Sequence, residues 1–122
     1  ILFYKNVLII QKSNYIDIDI VDSSHFQSCF GLIKSNSKLD CEMGTKAKLL
    51  LRPEQIKIEA DRQGEGVISR VDFQGGSIQV SVSFSGYELL IQQTNTPETI
   101  SQLIVGSLVK LSILPHNFVI FG

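Results

Sequence analysis

The sequence predicts an all-β protein, a small barrel of short antiparallel strands with one short helix, and three observations predict it. Apolar residues recur at every second position, as in Ile16, Ile18 and Ile20 and again in Ile78, Val80, Val82 and Phe84, which is the period of a strand with one buried face. Glycine-bearing turn signals, Gln74-Gly75-Gly76-Ser77 and Ser85-Gly86, separate these stretches at short intervals. Helical periodicity is confined to residues 97–105. Nine or ten short strands with such frequent turns fit a small barrel better than a layered α/β sheet.

Taken in order, residues 3–11 hold Tyr4, Val7, Leu8, Ile9 and Ile10, a β-branched and aromatic mix that favours a strand. Ser13-Asn14 reads as a turn, and residues 15–21 as a strand whose outer face carries Asp17 and Asp19. Residues 26–33 read as a third strand weakened by Gly31, followed by the polar loop 34–37. Met43-Gly44-Thr45 then leads into an uninterrupted apolar run in which Leu50 and Leu51 are expected in the core. Pro53 offers no ladder donor and pushes Arg52 into extended backbone, so the strand ends there. Pro53 also suits the first position of a short helical or 3₁₀ turn, with Glu54 placed against exposed backbone N–H groups. Ile56 and Ile58 alternate with Lys57 and Glu59 in the next strand, and residues 60–65 form a polar loop.

A strand from Val67 to Phe73, the Gln74-Gly75-Gly76-Ser77 turn, a strand over 78–84, the Ser85-Gly86 turn and a strand over 87–92 make an antiparallel meander. In the helix at 97–105, Thr96 is the cap and Pro97 the first position; Ile100, Leu103 and Ile104 share a face, and Gly106 stops it. A strand over 108–114, a turn at Pro115-His116-Asn117 and an edge strand over 118–121 complete the chain.

At 122 residues the chain has the size of one domain, and 43% hydrophobic with 19% charged residues excludes disorder. Eleven basic against twelve acidic residues give a net charge of -1, which argues against a nucleic-acid backbone as partner. No apolar run approaches the ~20 residues of a membrane helix. The first ten residues lack a basic start and a cleavage site, so they read as a strand and not a signal peptide. The chain begins without Met and is read as a fragment of a longer protein. Cys29 and Cys41 read as separate buried thiols, with a disulfide as the alternative.

No catalytic set emerges. Gly44-Thr45-Lys46 lacks the glycine spacing and following helix of a phosphate loop, and Leu-Ser-Gly-Gly-Gln does not occur. Asp17, Asp19 and Asp22 lack the glycine and glutamate of a calcium loop and read as a solvated strand face. His25 and His116 have no partners at metal spacing, so no metal site is expected. Serine near glycine occurs only in turn-rich hairpins, not as a nucleophile elbow. Phe73, Tyr87, Phe84 and Phe118 raise the possibility of base stacking, but Phe84 is in register with inward residues and belongs to the core. Arg52 and Glu54 have two readings: Arg52 tied to a carboxylate with Glu54 capping the turn, or both facing a partner subunit or small effector.

The segment Leu51-Arg52-Pro53-Glu54-Gln55-Ile56 resembles the Arg-Pro-Glu motif opening the C-terminal transport-associated OB (TOBE) region of ATP-binding subunits of bacterial ABC importers, the group serving sugars, polyamines, sulfate and ferric iron. Gly66-Val67-Ile68, Phe73-Gln74-Gly75, Ile78-Gln79-Val80-Ser81-Val82, Gly86-Tyr87-Glu88-Leu89 and Gly106-Ser107-Leu108-Val109-Lys110-Leu111 follow in the order seen in that family. Residues 45–121 carry the resemblance and residues 1–44 match it only loosely. It implies an OB-like Greek-key barrel over residues 1–122, a regulatory and dimerisation domain of a longer ATPase subunit. Arg52, Pro53 and Glu54 become interface residues, and Phe73, Gly75 and Gly76 the hairpin motif. The implied partners are a second copy, the ATPase core of the same chain and, indirectly, membrane permease subunits, in the cytoplasm beside the inner membrane. Nucleic acid is not among them. ATP and magnesium belong to the ATPase core alone, and no cofactor is expected in these residues. The alternative is a stand-alone OB-like binder of an oxyanion or metabolite; a nucleic-acid-binding OB domain stands third.

Overall fold

The computed structural model describes residues 13–35, 38–39, 43–114 and 118–121, apart from the side chain of Ile100. The strand expected at 3–11, Cys41, and the turn at 115–117 with His116 lie outside the described residues.

The described chain is all-β with one short helix. Its elements are β1 (Asn14–Ile20), β2 (His25–Ser28), β3 (Gly31–Lys34), β4 (Lys46–Leu51), a 3₁₀ turn (Pro53–Gln55), β5 (Ile56–Ala60), β6 (Gly66–Gln74), β7 (Ser77–Phe84), β8 (Tyr87–Thr94), α1 (Pro97–Gln102), β9 (Leu108–Ile113) and β10 (Val119–Phe121). They form two antiparallel five-stranded sheets, in the orders β10-β4-β1-β2-β3 and β5-β9-β6-β7-β8.

The second sheet curls into an OB-like Greek-key barrel. Its meander β6-β7-β8 is joined by two-residue turns, with Gln74 paired to Ser77 and Phe84 to Tyr87. The chain then passes through α1 to β9, which inserts between β5 and β6. The edge strands β5 and β8 approach each other, and Gln93 Nε2 donates to the Ile56 carbonyl at 3.5 Å. In the first sheet β4 pairs with β1 from Asn14 to Asp19, while β10 returns to β4 with Val119 opposite Leu50. The interiors of both sheets merge into one apolar core that includes Ile16, Phe26, Leu49, Leu51, Ile78 and Ile91.

Four expectations are corrected. Asn14 opens β1 instead of closing a turn, because its side chain is drawn inward by partners on β8. Residues 26–33 are a hairpin and not one strand: Ser28 Oγ accepts the Phe30 N–H at 3.0 Å and donates to the Gly31 carbonyl at 3.1 Å, which turns the chain at Cys29-Phe30. Leu50 is half-exposed, because alternation along β4 turns Leu49 and Leu51 inward. The helix ends at Gln102, so Leu103 is buried but Ile104 is 61% exposed. The Thr96 cap is present, its hydroxyl accepting the Thr99 N–H at 3.2 Å.

Candidate functional site

The Arg-Pro-Glu segment forms the joint between the two sheets. Arg52 is extended (φ -77°, ψ 152°), as the following proline requires, and Pro53 is buried at the start of the 3₁₀ turn. Gln55 closes the turn from both ends: its Oε1 accepts the Arg52 N–H at 2.8 Å and its own N–H donates to the Arg52 carbonyl at 2.9 Å. The lock uses the backbone of Arg52, and no hydrogen bond from the side chain of Arg52 or Glu54 caps the turn. Both side chains are exposed, and among the described residues neither has an ion-pair partner. The expected tie from Arg52 to a carboxylate is therefore not formed, since Gln55 already satisfies the strand end.

The second sequence-derived motif lies at the tip of the β6–β7 hairpin. Gly75 takes a φ of +69°, which the two-residue turn demands, and its carbonyl accepts from Asn95 Nδ2 at 2.7 Å. Phe73 is 59% exposed and is not part of the core. The fold links the two motifs without bringing them into contact: Phe73 pairs with Ile78, Ile78 with Gln93, and Gln93 reaches Ile56 next to the Arg-Pro-Glu turn.

Sequence reasoning missed the residues that clamp the sheets together. The half of β1 not paired to β2 runs beside β8, where Asn14 Nδ2 donates to the Leu90 carbonyl and Asn14 Oδ1 accepts the Leu90 N–H, each at 2.8 Å. One amide side chain thus stands in for a ladder residue. Tyr87 Oη accepts the Asp17 N–H at 2.9 Å and donates to Asp17 Oδ2 at 3.3 Å. Phe30 stacks on Phe84 with ring centroids 5.2 Å apart. Beside this stack a cleft of about 340 Å³ opens between the sheets, its rim carrying Asp61, Glu65 and Lys110 and its wall Cys29, Phe84 and Leu111. The loop along it is held down at Gly64, where a Cβ would stand 2.2 Å from the Val109 carbonyl oxygen. Cys29 is a free, half-buried thiol whose pKa is raised by burial.

The carboxylates that invited a metal reading are separately engaged. Asp17 binds Lys48 at 2.6 Å, which lowers its pKa and raises that of Lys48. Asp19 pairs with Lys46 at 3.5 Å. Asp22 accepts the Ser24 N–H at 2.8 Å and sits 2.9 Å from His25 Nδ1; the backbone bond first, and the imidazole next, hold it at about 2. Ser24 Oγ also meets His25 at Nδ1, so serine and aspartate share one ring nitrogen, and a proton relay across the imidazole has no path. On the meander's outer face, Glu88 accepts from the hydroxyls of Ser69 and Ser83, which lower its pKa. No group of three metal-binding side chains converges among the described residues, and no helix among them is long and apolar enough to cross a membrane.

An OB-like barrel clamped to a second open sheet, with exposed charges at the joint between them, defines a class of small all-β modules. Residues 49–121 match the sequence profile of the TOBE domain, and the chain belongs to that family. Among solved structures it is similar to the cytoplasmic molybdate-binding protein ModG with molybdate bound: TM-score 0.72 at 12% identity, covering 93% of this chain and 97% of that one. No curated protein matches the sequence significantly.

Proposed function

We propose that this chain is the C-terminal regulatory and dimerisation region of an ABC-type importer ATPase subunit, coupling subunit pairing to transport of a small solute such as ferric iron. The observation that carries the reading is the exposure of Arg52 and Glu54 on a turn that does not need them. Charges presented at the joint of two sheets, with no ion-pair partner among the described residues, are placed to meet another surface. In this reading the domain works mechanically: by pairing with its counterpart it holds two ATPase cores together, and an effector preferring one arrangement shifts the balance by its differential affinity. ATP and magnesium are bound by the ATPase core. The complex sits at the cytoplasmic side of the membrane through permease subunits. The reading frame upstream of Ile1 tests the proposal: a phosphate loop followed by Leu-Ser-Gly-Gly-Gln is expected, and an unrelated upstream sequence overturns it.

The likeness to ModG over nearly the whole of both chains favours a second reading, a small-ligand binder. The cleft between the sheets weighs against an oxyanion there, because its described rim sets two carboxylates against one lysine. Calorimetric titration with molybdate separates the readings: tight binding supports the second, and its absence leaves the first.

A further inference from the structure

The outer face of the first sheet is built as a self-complementary surface. Across β10, β4 and β1 the register sets Val119, Leu50 and Tyr15 in one row, Phe121, Lys48 and Asp17 in the next, and Lys46 beside Asp19 in the third. Side chains in these rows point away from the core, since Ile16, Ile18, Leu49 and Leu51 occupy the alternate positions. Tyr15, Val119 and Phe121 are each exposed by more than two-fifths, and the Tyr15 and Phe121 rings meet across β4 with centroids 6.3 Å apart. An apolar patch therefore adjoins two parallel charged stripes, Asp17 and Asp19 on β1 and Lys46 and Lys48 on β4.

We infer that this face docks a second copy of the chain, sheet against sheet, about a two-fold axis parallel to the strands and midway between β1 and β4. That operation preserves height along the strands and exchanges β1 with β4. Each aspartate stripe then opposes the partner's lysine stripe row by row, and Tyr15 opposes the partner's Leu50. The cross-strand pairs Asp17–Lys48 and Asp19–Lys46, 2.6 and 3.5 Å apart within one chain, are thereby extended into four-charge clusters of alternating sign. A parallel two-fold centred on β1 or on β4 would instead lay aspartate on aspartate or lysine on lysine. The inference names the surface for the subunit pairing proposed above and rests on that reading.

Three strands at about 4.8 Å spacing and three rows of side chains make a small patch, well below the roughly 800 Å² per partner of a stable interface. The pairing is accordingly weak between free chains and strengthens when two copies are tethered, as in a paired ATPase, by raised effective concentration.

Sedimentation equilibrium on the 122-residue chain tests this with Asp19→Lys and Lys46→Asp, which avoid the Asp17 contact to Tyr87. Wild type is expected to show a weak, salt-sensitive dimer. Each variant alone should lose at least about tenfold in association, because like charges then face each other twice per dimer. An equimolar mixture should restore association as a heterodimer, which also shows that both variants are folded. If either variant misfolds, Leu50→Gln probes the same face without reversing a charge and should weaken association, since Leu50 opposes the partner's Tyr15. A wild-type dimer that both charge variants leave unchanged overturns this surface while subunit pairing stands. A strictly monomeric wild type at millimolar concentration overturns the surface and leaves pairing to the ATPase cores.

Discussion

The two sheets are held in shape by different kinds of contact. In the barrel, the meander β6-β7-β8 pairs strands that are neighbours in sequence, and Gly75 and the Ser85-Gly86 pair set its register through positive φ values at the turns. In the open sheet, β1 finds β4 and β4 finds β10 only after long intervening stretches, and its attachment to the barrel depends on the side chains of Asn14, Tyr87 and Phe30. The contrast teaches that local turn chemistry suffices for a meander. A junction between sheets needs polar groups that satisfy backbone across a gap.

The largest effect on this contrast comes from the core common to both sheets. Leu51→Ala should cost about 2 to 5 kcal/mol in a urea melt, whereas Leu50→Ala, one residue away on the outer face, should cost less than about 1. Equal losses would contradict the alternation along β4. Next comes the junction: Asn14→Ala leaves the Leu90 N–H and carbonyl without this partner and should lower stability by about 1 to 3 kcal/mol. Hydrogen exchange at Leu90 should accelerate more than at Val80, and uniform acceleration would deny a local clamp.

Within the barrel, Gly75→Ala should cost about 1 kcal/mol, while Gly76→Ala, with no positive φ and open space around its Cβ, should be near neutral. Acid provides a smaller and more distributed probe. Asp17, Asp22 and Glu88 all have folded pKa values below their ordinary ones, so their stabilisation is complete above the unfolded values and lost as pH falls through the folded ones. For Asp22 the window runs from its ordinary 3.8 down to about 2. Asp22→Asn should flatten that part of a stability profile measured by denaturant melts, and an unchanged slope would show that the Ser24 and His25 contacts contribute nothing. The smallest expected change is at the motif itself: Arg52→Ala and Glu54→Ala should shift stability by less than about 0.5 kcal/mol, with Gln55→Ala the larger loss. In the proposed full-length subunit, the same two variants should uncouple ATP hydrolysis from substrate delivery while basal hydrolysis persists.

These contrasts also explain what was legible in the sequence. Alternation placed Ile16, Ile18 and Ile20 inward, and Pro53 marked the end of β4 and the start of the 3₁₀ turn, because both signals act over a few residues. The β6-β7-β8 meander was legible for the same reason. Asn14 was not, because an asparagine beside a strand is an ordinary turn signal and its backbone partner lies 76 positions away. Gln55 was overshadowed by its charged neighbours, although its spacing from Arg52 is that of a residue closing a turn. The division of residues 26–33 into a hairpin was hidden in Ser28, whose hydroxyl bonds do not alter the hydrophobic pattern.

The return of β10 to β4 has a bearing on the order of events in time. The matched span begins at Leu49 and ends at Phe121, and these ends lie beside each other, since Leu49 is opposite Ile120 and Lys48 opposite Phe121. Pairing β10 with β4 closes a loop of about 70 residues, and on the ribosome it cannot occur before residues 119–121 have been made. Until then β4 keeps one edge without its eventual partner. A ribosome-bound or truncated chain missing its final strand therefore carries an open sheet edge, the feature that most readily recruits a foreign strand.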